Sequence, residues 1–439
     1  MDDSAKSRAG RPRGTVLALA LSTALGLALV LCGGAAPAVA APAGGVNISG
    51  FYPGAGLRTA DREIAAAHAL HATLVRAQLT WSDLEPQRRG QVDPEALAFT
   101  DRLVADAAAN GIGVILVLDS SPCWASAAPA DVLSRCSPSR ASAANSWPPR
   151  NPADYAAVAA YLAGRYGTHL SALEVWNEPD QANELYFGGR DKARRYAAVL
   201  RAAYPAIKRA NPSVAVLGGS LVGSSGVFLR ALYAAGIQGY YDGLAVHYYT
   251  LTLASVRAIH AVQVANGDTK PLWLDEFGWS SCYPQHRIQE EQACVTDRIQ
   301  AANITNVFRS LARVHYIAAD VVYQLQNTQG ESFGVQKPNG AHKPAFSALA
   351  RVLASPIGSP ERVRLHLRRT GSAVQAVGSA PVGDYLELQA SVHGILRYKA
   401  VFTLDRFNRY AIRLPSILGT RGITVRVSQR WAGAATARI

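Results

Sequence analysis

The chain predicts an α/β fold: a (β/α)8 TIM barrel followed by a small C-terminal antiparallel β-sandwich. Three observations predict it. Between Gly45 and about Ser355, eight short apolar runs alternate with longer Ala-rich helical patterns. The runs are continuously apolar, as in parallel strands covered by helices. Beyond residue 360 the pattern changes to short alternating runs, the signature of an antiparallel sandwich.

In chain order, residues 1–40 read as a secretory signal peptide. Lys6, Arg8, Arg11 and Arg13 form a basic start, Thr15–Leu31 is apolar, and Ala38-Val39-Ala40 offers a small-residue cleavage site. An uncleaved anchor helix is the alternative, since the run has about the minimum length to span a bilayer. Cys32 follows Leu31, where a lipid-attachment site takes a small residue. The barrel is expected over 41–355. Its strands are "GVNISGFY", "TLVRAQLTW", "GVILVLDSS", "ALEVWNEP", "SVAVLGGSL", "GLAVHYYT", "PLWLDEFGW" and "ADVVYQLQ". "PEALAFTDRLVADAAANG" and "DKARRYAAVLRAAYPAIKRANP" typify the intervening helices. Eight βα units in about 310 residues suit such a barrel. A doubly wound sheet is the rival, but "FYPGAGL" after the first strand is a poor phosphate-binding turn. "SPIGSPERV" reads as a linker. The basic β-sandwich is expected over 361–439, with "DRFN" as a hairpin turn between two of its strands.

Four cysteines remain after the leader: Cys123, Cys136, Cys282 and Cys294. In an exported chain an even number points to disulfides, and the local pairs Cys123–Cys136 and Cys282–Cys294 are expected among three connectivities. No CxxC or HExxH spacing occurs, so no metal site is expected. Charge is uneven. Residues 41–360 hold 27 Lys+Arg against 25 Asp+Glu, whereas 361–439 hold 13 against 4. The basic tail either binds an acidic cell-wall polymer electrostatically or is a solvated surface. The export signal disfavours nucleic acid as a partner and leaves no stable membrane span after cleavage.

In such a barrel the active site lies at the C-terminal ends of the strands. Glu178 ends the fourth predicted strand and Glu276 the seventh, 98 residues apart. That is three units of about 33 residues, close to the barrel average, and places them across the mouth. Two facing carboxylates are the equipment of glycoside cleavage. A single strand-end glutamate is commonplace; two at matching ends, each flanked by tryptophan, favour catalysis. Arg76 interrupts "TLVRAQLTW". It either pairs with a carboxylate at the mouth, keeping the nucleophile ionised, or points outwards to a neighbouring helix. His247 and Tyr249 close the sixth strand, placed to orient Glu276, to bond a sugar hydroxyl, or simply to end a strand. Trp81, Trp124, Trp176 and Trp279 follow or end strands on the same face, for sugar stacking or for closing the barrel.

"VWNEP" at the fourth strand and "LDEFGW" at the seventh resemble the paired motifs of clan A glycoside hydrolases. Within the clan, "VRAQLTWSDLEP" and "FGVQKPNGAHKPAFSAL" look most like family 39 and the family 5 cellulase-like enzymes. The resemblance implies a retaining double displacement, with Glu178 as acid/base and Glu276 as nucleophile. It also implies Asn177 at the sugar 2-hydroxyl, with Arg76, His247 and Tyr249 in supporting places. Two positions depart from the pattern. "VVYQLQN" lacks the tryptophan that many clan members place under the sugar, where Tyr323 stands instead. Asp275 stands where relatives often have a small or hydroxylated residue, and strand alternation turns it away from Glu276, into a structural role. The resulting expectation is a secreted, extracellular glycosidase of β-linked glycans needing no cofactor. A binding barrel without turnover, serving in cell-wall attachment, is the alternative.

Overall fold

The computed structural model describes residues 42–139, 141–183, 185–223, 225–249, 253–282, 294–312, 314–328, 330–355, 362–380, 386–405, 408–429 and 433–439. The expected signal peptide and most of the expected linker lie outside these. Among the described residues no helix is long and apolar enough to cross a membrane.

Eight parallel strands close a barrel in chain order: β1 (Ala43–Asn47), β2 (Leu74–Thr80), β3 (Gly113–Asp119), β4 (Leu170–Val175), β5 (Ala215–Leu221), β6 (Gly243–His247), β7 (Leu272–Phe277) and β8 (Ile317–Val322). Closure comes from β1 pairing with both β2 and β8. A helix follows each strand: Leu57–Ala69, Pro94–Ala109, Pro152–Tyr166, Lys192–Ala210, Val227–Ala234, Leu253–Ala265, Asp297–Leu311 and Pro344–Ala354. Local chemistry sets several starts. Asp93 and Asn151 accept backbone N–H groups of the first turn, each with proline at the first helical position, the arrangement that satisfies orphan donors at least cost.

The barrel interior is layered. Leu74, Ile115, Ala172, Leu217, Ala245, Ala319 and Val321 form an apolar plug. Two residues further along the same strands, alternation brings Arg76, Glu174 and His247 to the inside. All three are buried. A polar layer thus sits on an apolar floor at the C-terminal end.

Beyond the barrel lie two antiparallel sheets. One has the order β13 (Arg409–Arg413), β10 (Ala373–Ser379), β9 (Arg364–Thr370); the other runs β12 (Ile395–Phe402), β11 (Leu386–Val392), β14 (Ile423–Gln429), β15 (Gly433–Arg438). Their inner faces share a core that includes Val374, Ala376, Leu388, Tyr410 and Val425, so the sandwich is as expected. The "DRFN" hairpin is not. β12 and β13 belong to different sheets, and the turn carries the chain from one to the other. Alternation alone marks strands without telling which neighbour each will pair with. Arg406 and Phe407 of that turn are outside the described residues.

Candidate active site

Arg76 organises the site. Its Nε and Nη2 donate to Glu174 at 2.9 and 2.8 Å, a two-point clasp. Nη1 donates to Asn47 Oδ1 and to Glu276 Oε2, both at 2.9 Å, and Nη2 also reaches Asn177 Oδ1 at 2.9 Å. The side chain points into the barrel, and the outward alternative is excluded. Ser220 Oγ donates to Glu174 as well.

Glu178 lies beyond the end of β4, not on it. Trp176 and Glu178 both have left-handed backbones, with φ of 72° and 44°. For non-glycine residues this conformation is uncommon and costs energy. Neighbouring contacts hold it. The Trp176 ring is fully buried between Tyr155 and Phe187, and its Nε1 donates to the Tyr186 carbonyl at 2.7 Å. The turn aims Glu178 back over the barrel, where His247 Nδ1 meets Oε1 at 2.8 Å and Gln181 Nε2 donates to Oε2 at 2.6 Å. Glu276 arrives from β7, and Tyr249 Oη donates to its Oε1 at 2.5 Å. A carboxylate oxygen of Glu178, one of Glu276 and a His247 nitrogen all lie within 4.8 Å of one another.

The electrostatics follow from burial and sharing. Burial alone would raise Glu178, but the His247 hydrogen bond and charge outweigh it and hold the carboxyl below its usual value. Glu276 goes the other way. Burial raises it, Glu178 adds to this, and His247 and Arg76 only partly compensate. Arg76 pairs with this group and lowers it, as expected, but its effect is limited because the guanidinium divides its charge with Glu174, which it holds down at about 2 against burial. His247 is buried, yet Glu276, Glu178 and Asp275 raise it to about 9. At neutral pH the imidazole therefore carries a proton.

Asp275 is a second correction. It faces the barrel interior, with Oδ2 3.6 Å from Arg76 Nε and Oδ1 3.8 Å from His247 Nε2. Alternation continues from Trp273, which packs on the apolar plug, to Asp275. The pairing register with both neighbouring strands breaks near Glu276, so both side chains turn inwards. Burial and the adjacent Glu174 hold Asp275 well above the ordinary carboxylate range.

Tyr323 is half-buried beside Tyr249 and Phe333, and its Oη donates to Glu331 at 2.9 Å. Trp81 and Trp279 do not line the cleft. They are 0% and 2% exposed, Trp81 packed on Trp124 and Tyr155 and Trp279 on Phe277. Rings without a free face have none to offer a sugar. Both expected disulfides are formed, Cys123–Cys136 after β3 and Cys282–Cys294 after β7. Sequence reasoning missed Asn47, Glu174, Ser220 and Tyr186. Glu174 carried a usable signal, a second carboxylate inside the apolar run "ALEVW" with the parity that faces Arg76. Tyr186 carried none; its phenol is raised by burial and by the charges of Glu178 and Glu276.

A family profile described as Cellulase (glycosyl hydrolase family 5) matches residues 40–311. The chain belongs to this family. The matched span of this family 5 chain includes Arg76, Glu178, His247, Tyr249 and Glu276, and excludes Tyr323 and both C-terminal sheets. Its fold is similar to a family 39 glycoside hydrolase from the gut symbiont Bacteroides cellulosilyticus WH2 (TM-score 0.55, 18% identity, covering 86% of this chain and 80% of that one). It is also similar to a family 39 beta-xylosidase from Caulobacter crescentus (TM-score 0.55, 20% identity, 80% and 84% covered). A third is a GH5 subfamily 18 protein from Streptomyces cattleya solved with Manb1-4GlcNAc (TM-score 0.52, 15% identity, 73% and 83% covered). Among curated proteins no sequence matches significantly. The protein is a glycoside hydrolase of the family 5 and 39 type, in clan A.

Proposed function

We propose that the protein is a secreted, retaining O-glycosidase of β-linked polysaccharides or glycoconjugates, with Glu276 as nucleophile and Glu178 as acid/base. The observation that carries this is the separation of the two carboxylates, whose nearest oxygens lie within 4.8 Å. Retaining enzymes hold their carboxyl groups about 5–5.5 Å apart; inverting ones leave a water's width, about 6.5–9.5 Å.

Taken alone, the shift directions at Glu178 and Glu276 favour exchanged roles. The donors argue for the assignment given. Glu276 accepts from Arg76 and Tyr249, neither of which releases a proton near neutrality, so it stays an acceptor suited to attack. Glu178 bonds to His247, a group that titrates. The proton on Nδ1 passes along that bond to Glu178 and on to the leaving oxygen as Glu276 attacks the anomeric carbon. In the second half Glu178 takes a proton from water and hands it back to His247 Nδ1 along the same bond, and the hydroxide displaces Glu276, restoring the starting state. Asn177 contacts the sugar 2-hydroxyl. Tyr323, His247, Tyr249 and Arg76 shape the subsite.

The two disulfides support export, since such bonds persist in oxidising surroundings. The basic C-terminal segment supports association with an acidic cell-wall polymer. Glu178→Ala and Glu276→Ala each abolish hydrolysis over a broad β-glycan panel while binding survives. Unchanged hydrolysis in either variant removes the assignment. Binding without hydrolysis by the native protein makes it a binding barrel instead.

A further inference from the structure

The outer face of the three-stranded sheet carries arginines in two rows. Register sets Gln375 of β10 between Arg413 of β13 and Arg368 of β9, and Ser379 between Arg409 and Arg364. Between the rows, Val377 has Ala411 on one side and His366 on the other. The alternate residues Leu365, Val374, Ala376 and Tyr410 are buried in the sandwich core. All four arginines and His366 are accordingly exposed. Strand spacing puts the arginines of a row about 10 Å apart across β10, and the rows about 13 Å apart along the strands.

No Asp or Glu occurs in β9, β10 or β13, and among the described residues none of the four guanidinium groups is in an ion pair. Asp405, at the corner, accepts the backbone N–H of Arg409. The opposite sheet differs: there Lys399 is neutralised by Glu387 at 2.8 Å. Packing does not call for this clustering, because all four arginines lie on the solvent side, where like charges repel. Their forks match carboxylates bidentately. Gln375 and Ser379 set neutral hydrogen-bonding groups between them, suited to hydroxyls. Apart from the His366 imidazole, the face offers no aromatic ring on which a base would stack.

We propose that this face binds an acidic polysaccharide, a polymer of uronate units, and holds the barrel against it. The choice of a glycan rests on the glycosidase reading above; the charge array does not.

Binding of the full-length chain to polygalacturonate, followed by affinity electrophoresis, tests the proposal. The native chain is retarded at low salt and loses about ten- to a hundred-fold in affinity from about 50 to about 200 mM. Neutral dextran does not retard it. Arg368→Glu with Arg413→Glu, or Arg364→Glu with Arg409→Glu, weakens binding about ten-fold or more. Arg397→Glu with Arg426→Glu, on the opposite sheet and with the same change in net charge, costs a small fraction of that. An equal loss in the control pair, no binding at low salt, or tighter binding to duplex DNA or phosphatidylglycerol vesicles overturns the proposal. Hydrolysis of a small aryl β-glycoside, measured on the same variants, is unchanged by either row. Absence of that activity in the native chain removes the glycosidase reading and leaves the binding result intact.

Discussion

Arg76 carries one positive charge and lies within 3.6 Å of three carboxylates, those of Glu174, Asp275 and Glu276. Removing it strands buried negative charge. Arg76→Met therefore destabilises the fold by about 3–5 kcal/mol, the usual cost of breaking a buried pair from one side, read as a large fall in the thermal midpoint. Survival of the native midpoint would mean that Glu174 and Glu276 find other partners. His247 makes a different prediction. Its folded pKa of about 9 stands above the usual histidine value of 6.5, so its contribution to stability is complete below about 6.5 and is lost as pH rises through about 9. Denaturant unfolding should show stability declining across that window, and His247→Gln should flatten the decline. An equal decline in the variant assigns the effect elsewhere.

At the scale of elements, most of the barrel was legible because apolar runs and helical patterns report burial directly. All eight strands appear where the runs predict them. Glu178 and Glu276 were legible as strand-end carboxylates, since the ends of parallel strands point at the site. What stayed hidden depends on register and backbone. Asp275 was misplaced because strict alternation fails where β7 shifts against its neighbours. The "DRFN" connection was misread because alternation does not name a pairing partner. Gly278, in "DEFGW", shows a contact that sequence could not display. A Cβ there would sit 2.2 Å from the Tyr323 carbonyl oxygen, because β7 and β8 converge beneath the site, with Tyr323 N–H donating to the Phe277 carbonyl at 2.7 Å. Gly278→Ala forces these backbones apart, costs about 1–3 kcal/mol and lowers kcat/KM through displaced Glu276 and Tyr323. Activity and stability equal to native would show that the convergence is not needed.

For the whole molecule, the barrel gathers residues from six strand ends into one buried ionic cluster, and the appended sandwich turns a charged face to solvent. The division matches the uneven charge along the chain. The central claim is that Glu276 attacks the sugar and Glu178 manages the proton. Trapping with an activated 2-deoxy-2-fluoro β-glycoside, followed by peptide mapping by mass spectrometry, tests it most directly, using a sugar from the panel that the native enzyme hydrolyses. The account predicts one covalent adduct, on Glu276. An adduct on Glu178 would reverse the roles, and turnover of the natural substrate with no adduct on either glutamate would contradict the double displacement.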